Sequence, residues 1–159
     1  MTPLHAIKLI IYDFDGVMTD NTAYLSQDGV ESVRVHRGDG LAVGLFRGKG
    51  MKQVIVSTET NSVVSARGKK LQIPVYQGIG NKKETVQTIS EDLKISLVDM
   101  AYIGNDTNDF EAMMQVGLRI CPADAEPEIK DIAHIITTTN GGQGVIRELY
   151  RMIQNGTVG

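Results

Sequence analysis

The chain is poor in cysteine and aromatic residues, and it has no long apolar run and no concentrated positive charge. Its 159 residues include one cysteine and no tryptophan, and the formal net charge is −3. Cys121 cannot form an internal disulfide, which is typical of proteins of the reducing cytoplasm. The absence of a Lys/Arg block, of a membrane-length apolar run and of a secretion signal argues against nucleic-acid and membrane partners. We therefore expect a cytoplasmic protein.

Short apolar runs alternate with longer helical patterns along the chain. This alternation predicts an α/β fold, a Rossmann-like three-layer sandwich with a central, mostly parallel sheet. The predicted strands lie at about Lys8–Tyr12, Gln53–Ser57, Val75–Gln77, Met100–Ile103, Leu118–Cys121 and Ile132–Ile136. The predicted helices lie at about Gly40–Lys49, Asn61–Leu71, Lys82–Leu93, Asn108–Val116, Pro127–Ile132 and Gln143–Gln154. Asp39 and Asn61 are predicted helix N-caps, and Pro127 suits a first helical turn.

Two aspartates follow the first predicted strand. The apolar run ends in Asp13-Phe14-Asp15-Gly16, where a turn breaks the alternation of side chains, so both carboxylates can crowd one pocket. Carboxylates that close repel each other unless a cation lies between them or one keeps a proton. Both arrangements suit phosphoryl transfer, in which one aspartate attacks phosphorus and the other protonates the leaving oxygen. An exposed turn that happens to hold two aspartates is the alternative.

Polar residues also follow the other predicted central strands, where ligands of open α/β sheets bind. Ser57 and Thr58 could hold phosphate oxygens at a helix N-terminus, although a simple helix cap explains them equally well. Lys82, with Lys83 as the fallback, opens a helix and could reach a phosphate; a solvated surface lysine is the alternative.

The run Gly104-Asn105-Asp106-Thr107-Asn108-Asp109 comes directly after another predicted strand. Its oxygen-bearing side chains are suitable ligands for a hard cation such as Mg²⁺. A plain Asp/Asn-rich loop is the alternative, but the position after a strand favours metal binding.

These motifs resemble those of the haloacid dehalogenase superfamily. The run 13–20, Asp-Phe-Asp-Gly-Val-Met-Thr-Asp, matches its nucleophile motif, and the later polar clusters extend the resemblance over almost the whole chain. The resemblance implies that Asp13 is the nucleophile, that Asp15 is the general acid and base, and that Mg²⁺ binds to Asp13 and the Asp15 backbone carbonyl. It also favours Lys82 over Lys83, because the family places its lysine directly after an Asp or Asn at this point.

The segment before the first helix predicts a β-hairpin flap at about residues 20–36. Asp28-Gly29 separates two extended runs, which is a hairpin signal. No long insertion interrupts the alternating pattern, so we predict one domain over residues 1–159 without a separate cap domain. Because phosphate chemistry benefits from the exclusion of water, we expect neighbouring subunits to help close the site.

More narrowly, the chain resembles the uncapped sugar-acid phosphatases, a subclass that includes the 3-deoxy-D-manno-octulosonate 8-phosphate phosphatases. The hairpin and the segments 38–41, 76–78 and 141–148 carry this resemblance. It implies a homotetramer in which the hairpin of one subunit covers the site of another.

The segment Ser57-Thr58-Glu59 stands where the octulosonate phosphatases usually carry Thr/Ser-Gly-Arg. Together, Glu59, Arg67 and Lys70 resemble the pattern of phosphatases that act on nine-carbon relatives, such as 2-keto-3-deoxynononate 9-phosphate. Arg67 or Lys70 could pair the substrate carboxylate while Glu59 accepts sugar hydroxyls, although all of these could be plain surface charges. The favoured substrate is therefore a sialic-acid-like nonulosonate 9-phosphate, and the eight-carbon octulosonate 8-phosphate is the second choice.

Asn105 stands where the octulosonate enzymes carry an aspartate that ligates Mg²⁺. Asn offers only a neutral oxygen, unless Asp106 takes over as the ligand. This leaves open a catalytically weakened oligomerisation or regulatory partner of an acylneuraminate cytidylyltransferase. Since Asp13, Asp15 and Lys82 are all present, we favour an active Mg²⁺-dependent phosphomonoesterase with an aspartyl-phosphate intermediate.

Overall fold

The structure, a computed structural model, describes residues 1–156 of the chain. In this range the strands are β1 (Leu9–Tyr12), β2 (Tyr24–Leu25), β3 (Glu31–Ser32), β4 (Lys52–Val56), β5 (Val75–Tyr76), β6 (Met100–Ile103), β7 (Leu118–Cys121) and β8 (Ile135–Ile136). The α-helices are α1 (Arg37–Gly48), α2 (Ser62–Leu71), α3 (Lys82–Leu93), α4 (Phe110–Met113), α5 (Pro127–Ile132) and α6 (Val145–Gln154). Short 3₁₀ helices cover Leu4–Ala6, Leu97–Asp99 and Thr107–Asp109.

A six-stranded parallel sheet lies at the centre, in the order β5-β4-β1-β6-β7-β8. Ile11 of β1 pairs with Val54 of β4 on one side and with Tyr102 of β6 on the other. The carboxyl ends of β1, β4 and β6 therefore meet at one edge. The predicted α/β fold with a central parallel sheet is confirmed.

Strand β1 passes through the middle of the hydrophobic core. Ile10 and Tyr12 belong to the layer that includes residues of α1 and α6, whereas Leu9 and Ile11 belong to the opposite layer with α3. All four side chains are buried. A strand buried on both faces reads as a continuous apolar run. The end of this rigid strand places Asp13 at the carboxyl edge of the sheet.

The hairpin forms as predicted. Strands β2 and β3 pair antiparallel, and the turn between them is closed by hydrogen bonds from Ser26 N to Val30 O and from Gly29 N to Ser26 O, both 3.0 Å. Gly29 has φ of +76°, which glycine adopts readily. At its base, Val35 bridges Thr19 of the loop that carries the two aspartates.

The prediction that Asp39 caps the first helix is wrong. Helix α1 already begins at Arg37, so Asp39 lies inside its first turn. The Oδ1 atom of Asp39 instead accepts a hydrogen bond from Arg147 N at 2.9 Å. Asp39 thus caps the N-terminus of α6, whose own N-cap residue, Gly144, has no side chain to do so.

The other predicted helix boundaries differ less from those of the structure. The helix expected over Asn108–Val116 is the shorter α4, because a 3₁₀ helix capped by Asp106 occupies the preceding residues. The predicted N-cap Asn61 is confirmed, since its side chain accepts from Val63 N at 3.1 Å. Pro127 opens α5 as expected. Among residues 1–156, no helix has both the length and the apolar character needed to cross a membrane.

Candidate active site

A buried lysine joins two aspartates at the carboxyl edge of the sheet. Lys82 Nζ lies 2.8 Å from Asp13 Oδ1 and 2.6 Å from Asp109 Oδ1. Asp13 Oδ1 also accepts from Phe14 N at 2.8 Å. Lys83 instead points to the surface and pairs with Glu111 at 3.2 Å. The structure therefore brings Asp13 and Lys82 together, as the motif implied, and does not bring Lys83 to this point.

The sequence analysis missed the role of Asp109 as the partner of Lys82. Asp109 is fully buried, and its carboxylate accepts from Tyr102 OH at 2.8 Å and from Asn105 N at 3.0 Å. These donors hold the carboxylate so that it orients the Lys82 ammonium toward Asp13. The sequence signal for this role was the polar run after β6, in which Asp109 is the last acid. A 3₁₀ turn brings Asp109 back toward the strand.

The buried charges of this pocket are not balanced. Burial, reinforced by the negative charge of Asp109, raises the pKa of Asp13 to about 8, although Lys82 opposes the shift. Burial alone would lower the pKa of Lys82, but the carboxylates of Asp13 and Asp109 raise it above its ordinary value. One ammonium group thus faces two carboxyl groups, and an added cation next to Asp13 would favour its ionised form.

Asp15 lies two residues after Asp13. It is half-buried, which favours the protonated form of its carboxyl group. Thr19 Oγ1 lies within 3.4 Å of Asp15 Oδ1, and the same hydroxyl oxygen accepts from Gly16 N at 3.2 Å. Burial raises the pKa of Asp15, and the negative charge of Glu59 adds to the effect. A carboxyl group with a raised pKa is suited to donate a proton to a leaving oxygen.

The Asp13 carboxylate, the Asp15 main-chain carbonyl and the Asn105 amide converge at one point. One terminal atom of the buried Asn105 amide lies 2.8 Å from the Asp15 carbonyl oxygen and 3.2 Å from Asp13 Oδ2. With its nitrogen there, the amide donates to both oxygens; with its oxygen there, three oxygens face one another and need a cation between them. Mg²⁺ holds oxygens at about 2.0–2.1 Å in octahedral geometry, which separates neighbouring ligands by about 3 Å. The donor set and its spacing therefore fit a hard divalent cation.

The close approach of Asn105 requires glycine at position 16. Gly16 has φ of +80°, and a Cβ there would lie 2.5 Å from the Asn105 Cγ atom. Asp106, the other predicted metal ligand, uses its Oδ1 to accept from Thr107 N at 2.6 Å. The structure thus brings Asn105 rather than Asp106 to Asp13. Within residues 1–156 no three His, Cys, Asp or Glu side chains cluster as a metal site, so this candidate set relies on an amide and a main-chain carbonyl.

The loop after β4 adds hydroxyl groups next to the aspartates. Ser57 is buried, and its Oγ accepts from Glu59 N at 3.1 Å, which leaves the hydroxyl proton to donate elsewhere. Thr58 is exposed on the same loop. Glu59 Oε1 accepts from Thr60 N at 2.7 Å and from Asn61 N at 2.8 Å, so its carboxylate is held in place by its own loop.

A cleft of about 300 Å³ opens beside Asp15 and is walled by the hairpin. Its lining includes Glu59 and, from the hairpin, Glu31. Arg67 does not line it, because this side chain is buried and its Nη2 donates to His36 O at 3.1 Å. Lys70 is exposed on α2 and does not line it either. The structure therefore brings Glu59 to Asp15 within one chain, but neither of the two predicted cations.

Residues 49–149 match the family of haloacid dehalogenase-like hydrolases. The 3-deoxy-D-manno-octulosonate 8-phosphate phosphatase of Yersinia pestis is 32% identical over 148 residues, which cover 92% of this chain and 79% of that protein. The chain belongs to the haloacid dehalogenase-like hydrolase family. Like the relatives that share this sequence similarity, it is a phosphatase.

Solved structures of the same family have the same fold. One is the 3-deoxy-D-manno-octulosonate 8-phosphate phosphatase of Moraxella catarrhalis in complex with magnesium, phosphate and its sugar acid, with a TM-score of 0.90, 28% identity and coverage of 94% of this chain and 87% of that chain. Another is the cobalt-bound deoxy-D-mannose-octulosonate 8-phosphate phosphatase of Haemophilus influenzae, with a TM-score of 0.90, 27% identity and coverage of 96% and 90%. These haloacid dehalogenase-like phosphatases hold divalent metal ions.

Proposed function

We propose that this phosphatase is a Mg²⁺-dependent phosphomonoesterase that removes the terminal phosphate of a 2-keto-3-deoxy sugar acid. The observation that carries the proposal is the buried contact of 2.8 Å between Lys82 and Asp13, with Asp15 on the same loop. This contact supports the roles of Asp13 as the nucleophile, Lys82 as the positive charge and Asp15 as the proton donor. The phosphatases of sugar acids among its relatives support the substrate class.

The reaction begins with attack of the Asp13 carboxylate on phosphorus. The bond from phosphorus to the sugar oxygen breaks, Asp15 gives its proton to that oxygen, and Asp13 carries the phosphoryl group as an acyl phosphate. Asp15, now ionised, takes a proton from water as that water attacks phosphorus, which releases phosphate and restores Asp13. Lys82 offsets negative charge on the phosphoryl oxygens throughout, and Ser57 and Thr58 donate hydrogen bonds to these oxygens.

Mg²⁺ would be held by Asp13, the Asp15 carbonyl and Asn105. When bound, Mg²⁺ supplies positive charge that neutralises the phosphate. This lowers the repulsion between the phosphate and the attacking carboxylate. Asn105 contributes one unit of negative charge less than an aspartate would, so we expect weaker metal binding than an Asp at position 105 would give.

The nine-carbon preference rests on Glu59. Its Oε1 accepts hydrogen bonds from two main-chain N–H groups, which keep the carboxylate in the cleft next to Asp15. There the carboxylate can accept hydrogen bonds from the hydroxyl groups of a polyol chain. Within one chain no cation lines the cleft among the described residues. Arg67 is buried and engaged by His36 O, so we propose that the exposed Lys70 reaches the substrate carboxylate, across a subunit contact of a homotetramer. The octulosonate 8-phosphate of the relatives is the alternative substrate.

The test is a panel of substrates assayed with purified protein and Mg²⁺. We expect the nononate 9-phosphate to give a higher kcat/KM than the octulosonate 8-phosphate, and a simple phosphate monoester to react slowly. Glu59→Arg should depress the nine-carbon reaction most, by roughly 30-fold or more, because it reverses a charge inside the cleft. Glu59→Gln is the matched control, since its amide oxygen can still accept from Thr60 and Asn61.

Equal losses on all substrates would make Glu59 a general support of the site and remove the nine-carbon assignment. Absence of any Mg²⁺-dependent turnover would instead favour the weakened regulatory partner of a cytidylyltransferase. A cytoplasmic location completes the proposal and is supported by the single buried cysteine.

A further inference from the structure

A turn of small residues packs behind the loop that carries the two aspartates. We call residues 140–143 the glycine turn and residues 13–20 the catalytic loop. The glycine turn is closed by a hydrogen bond of 3.1 Å from Gln143 N to Asn140 O. Gly142 N donates to Val17 O at 3.0 Å, so the main chain of the turn binds directly to the main chain of the catalytic loop. The proposed chemistry does not itself use this contact.

No side chain fits between the glycine turn and the catalytic loop. A Cβ at Gly141 would overlap the Gly16 carbonyl oxygen and lie 2.7 Å from the Gly16 carbonyl carbon. A Cβ at Gly142 would lie 2.5 Å from the Thr19 carbonyl carbon, and φ at this position is +66°. Because these obstacles are main-chain atoms rather than flexible side chains, even alanine would push the catalytic loop out of place.

The opposite side of the catalytic loop meets Asn105. The missing Cβ of Gly16 points at the Asn105 amide, while the Gly16 carbonyl faces Gly141. Gly16 is therefore held between the glycine turn and the candidate metal ligand. The peptide unit of the Gly16 carbonyl and the one that carries the Asp15 carbonyl share the Gly16 Cα atom, so a displacement of this atom moves the Asp15 carbonyl as well.

The segment between β7 and α5 connects both sides of this arrangement. Asp124 Oδ1 accepts from Gly141 N at 2.8 Å, and Glu126 N donates to Asn105 O at 2.9 Å. One short segment thus fixes the distance between the glycine turn and Asn105, with Gly16 between them. Asp124 is exposed, so its contact with Gly141 is not needed to fill the core.

We propose that Gly141, Gly142 and Asp124 are positioning residues, which set the place of the Asp15 carbonyl and carboxyl relative to Asn105 and thereby the affinity of the site for its divalent cation. They touch neither substrate nor cation and act through the catalytic loop. The proposal rests on the proposed function only in taking Mg²⁺ as the cation to be measured.

The experiment compares Gly141→Ala with Gly44→Ala. Gly44 lies in α1, where an added Cβ meets no atom within 4 Å, so this control tests the same substitution without a collision. Mg²⁺ affinity is measured by calorimetry on the full chain, alongside the melting temperature and the amide chemical shifts of residues 15–20. We expect Gly141→Ala to weaken Mg²⁺ binding about 10- to 100-fold and to shift those amides, as partners that orient metal ligands do. Gly44→Ala should leave both unchanged.

Asp124→Ala is the second variant, since it adds no bulk and alters an exposed position. It should weaken Mg²⁺ binding in the same direction, but less, with a melting temperature near that of the wild type. Wild-type Mg²⁺ affinity in both folded variants would overturn the proposal; if Gly141→Ala does not fold, the result for Asp124→Ala decides. A wild-type protein that binds no Mg²⁺ would also overturn it. Mg²⁺ binding without turnover of any sugar phosphate would contradict the proposed function but leave this inference intact.

Discussion

As the proposed nucleophile, Asp13 has to meet two requirements that conflict in a buried carboxyl group. It has to be ionised to attack phosphorus, yet burial and Asp109 raise its pKa to about 8. Lys82 offsets part of this cost, and a cation held with Asn105 would offset more. We therefore expect Asp13 to reach its full reactivity as a nucleophile only when the site holds its metal.

Asp13→Asn should abolish turnover without unfolding the protein. An amide is nearly isosteric with the acid but is a poor nucleophile, so we expect kcat to fall by about a thousandfold or more. Lys82 keeps its pairing with Asp109, which preserves the buried contact. The measurement is steady-state turnover of purified protein, with circular dichroism as the check on folding. Asp20→Asn is the control, since Asp20 forms a surface pair with Arg34; a variant of Asp13 within tenfold of wild type would exclude it as the nucleophile.

The charge of Glu59 also contributes to the raised pKa of Asp15. Burial is the main reason for the raised pKa of Asp15, and the charges of Glu59 and, less strongly, Glu31 add to it. Removing a negative charge lowers this pKa, so the protonated acid is lost at a lower pH. In Glu59→Gln we expect the alkaline limb of the kcat profile to move toward lower pH.

Glu31→Gln is the matched comparison for this prediction, and we expect a smaller shift in the same direction. The quantity to measure is the pH at which kcat is half-maximal on the alkaline side. A limb that stays in place in Glu59→Gln would show that Asp15 is not the group that sets it.

At the scale of secondary structure, acids near the start of α6 hold several elements together. Asp39 reaches from α1 to Arg147 N. Glu148, in the first turn of α6, accepts hydrogen bonds from the main-chain N–H and the hydroxyl groups of Thr138 and Thr139, at distances of 2.7 to 3.0 Å. The residues that follow β8 are thereby tied to α6, and they lead directly into the glycine turn.

Glu148→Gln should destabilise the fold in a pH-dependent manner. Burial would raise the pKa of Glu148, but the hydrogen bonds from Thr138 and Thr139 outweigh it and lower the pKa below its ordinary value. A lowered pKa means that the stabilisation is complete above the unfolded-state pKa and is lost as pH falls through the folded-state value. We expect the variant to lose about 1–2 kcal/mol of unfolding free energy at pH 7, and the difference should shrink below about pH 4.5.

Urea denaturation at several pH values measures this difference. Glu128→Gln serves as the control, because Glu128 also lies in a first helical turn, that of α5, and is exposed. A Glu148 variant whose deficit stays constant down to acidic pH would show that the charge of the carboxylate is not the source of the stability.

At the scale of the whole molecule, the hairpin exposes apolar side chains next to the cleft. Tyr24 is 71% exposed, Leu25 is 70% exposed and Val30 is 66% exposed. Several exposed large apolar side chains grouped on one hairpin are typical of an interaction site. This arrangement supports the proposal that hairpins and neighbouring subunits enclose the cleft.

We predict a homotetramer whose assembly depends on the hairpin. The double variant Tyr24→Ser and Leu25→Ser should shift the sedimentation profile to smaller species and lower kcat/KM for the sugar acid. Val98→Ser is the control, because Val98 is also exposed, at 56%, but lies in the 3₁₀ helix before β6, at the other end of that strand from the active site. A fully active wild-type monomer would contradict the prediction.

The local pattern of the sequence was sufficient for the parts of the site that lie within a few residues of a strand end. A run of apolar residues as continuous as that of β1 is explained only by burial on both faces, and Asp13 and Asp15 follow it directly. Lys82 could be chosen over Lys83 only through the resemblance to the haloacid dehalogenase superfamily, which implies a lysine directly after an Asp or Asn. The hairpin followed from Asp28-Gly29, whose turn chemistry is local.

Contacts between distant segments were decided only by the tertiary structure. Asp109 was identified as the partner of Lys82 because α3 brings Lys82 to within 2.6 Å of it. Asn105 was preferred to Asp106 as the candidate metal ligand because the Asn105 side chain is the one that faces Asp13. Asp39 caps α6 rather than its own helix for the same reason. Periodicity and turn chemistry describe neighbours along the chain, whereas the partner of a buried polar group is set by which elements pack together.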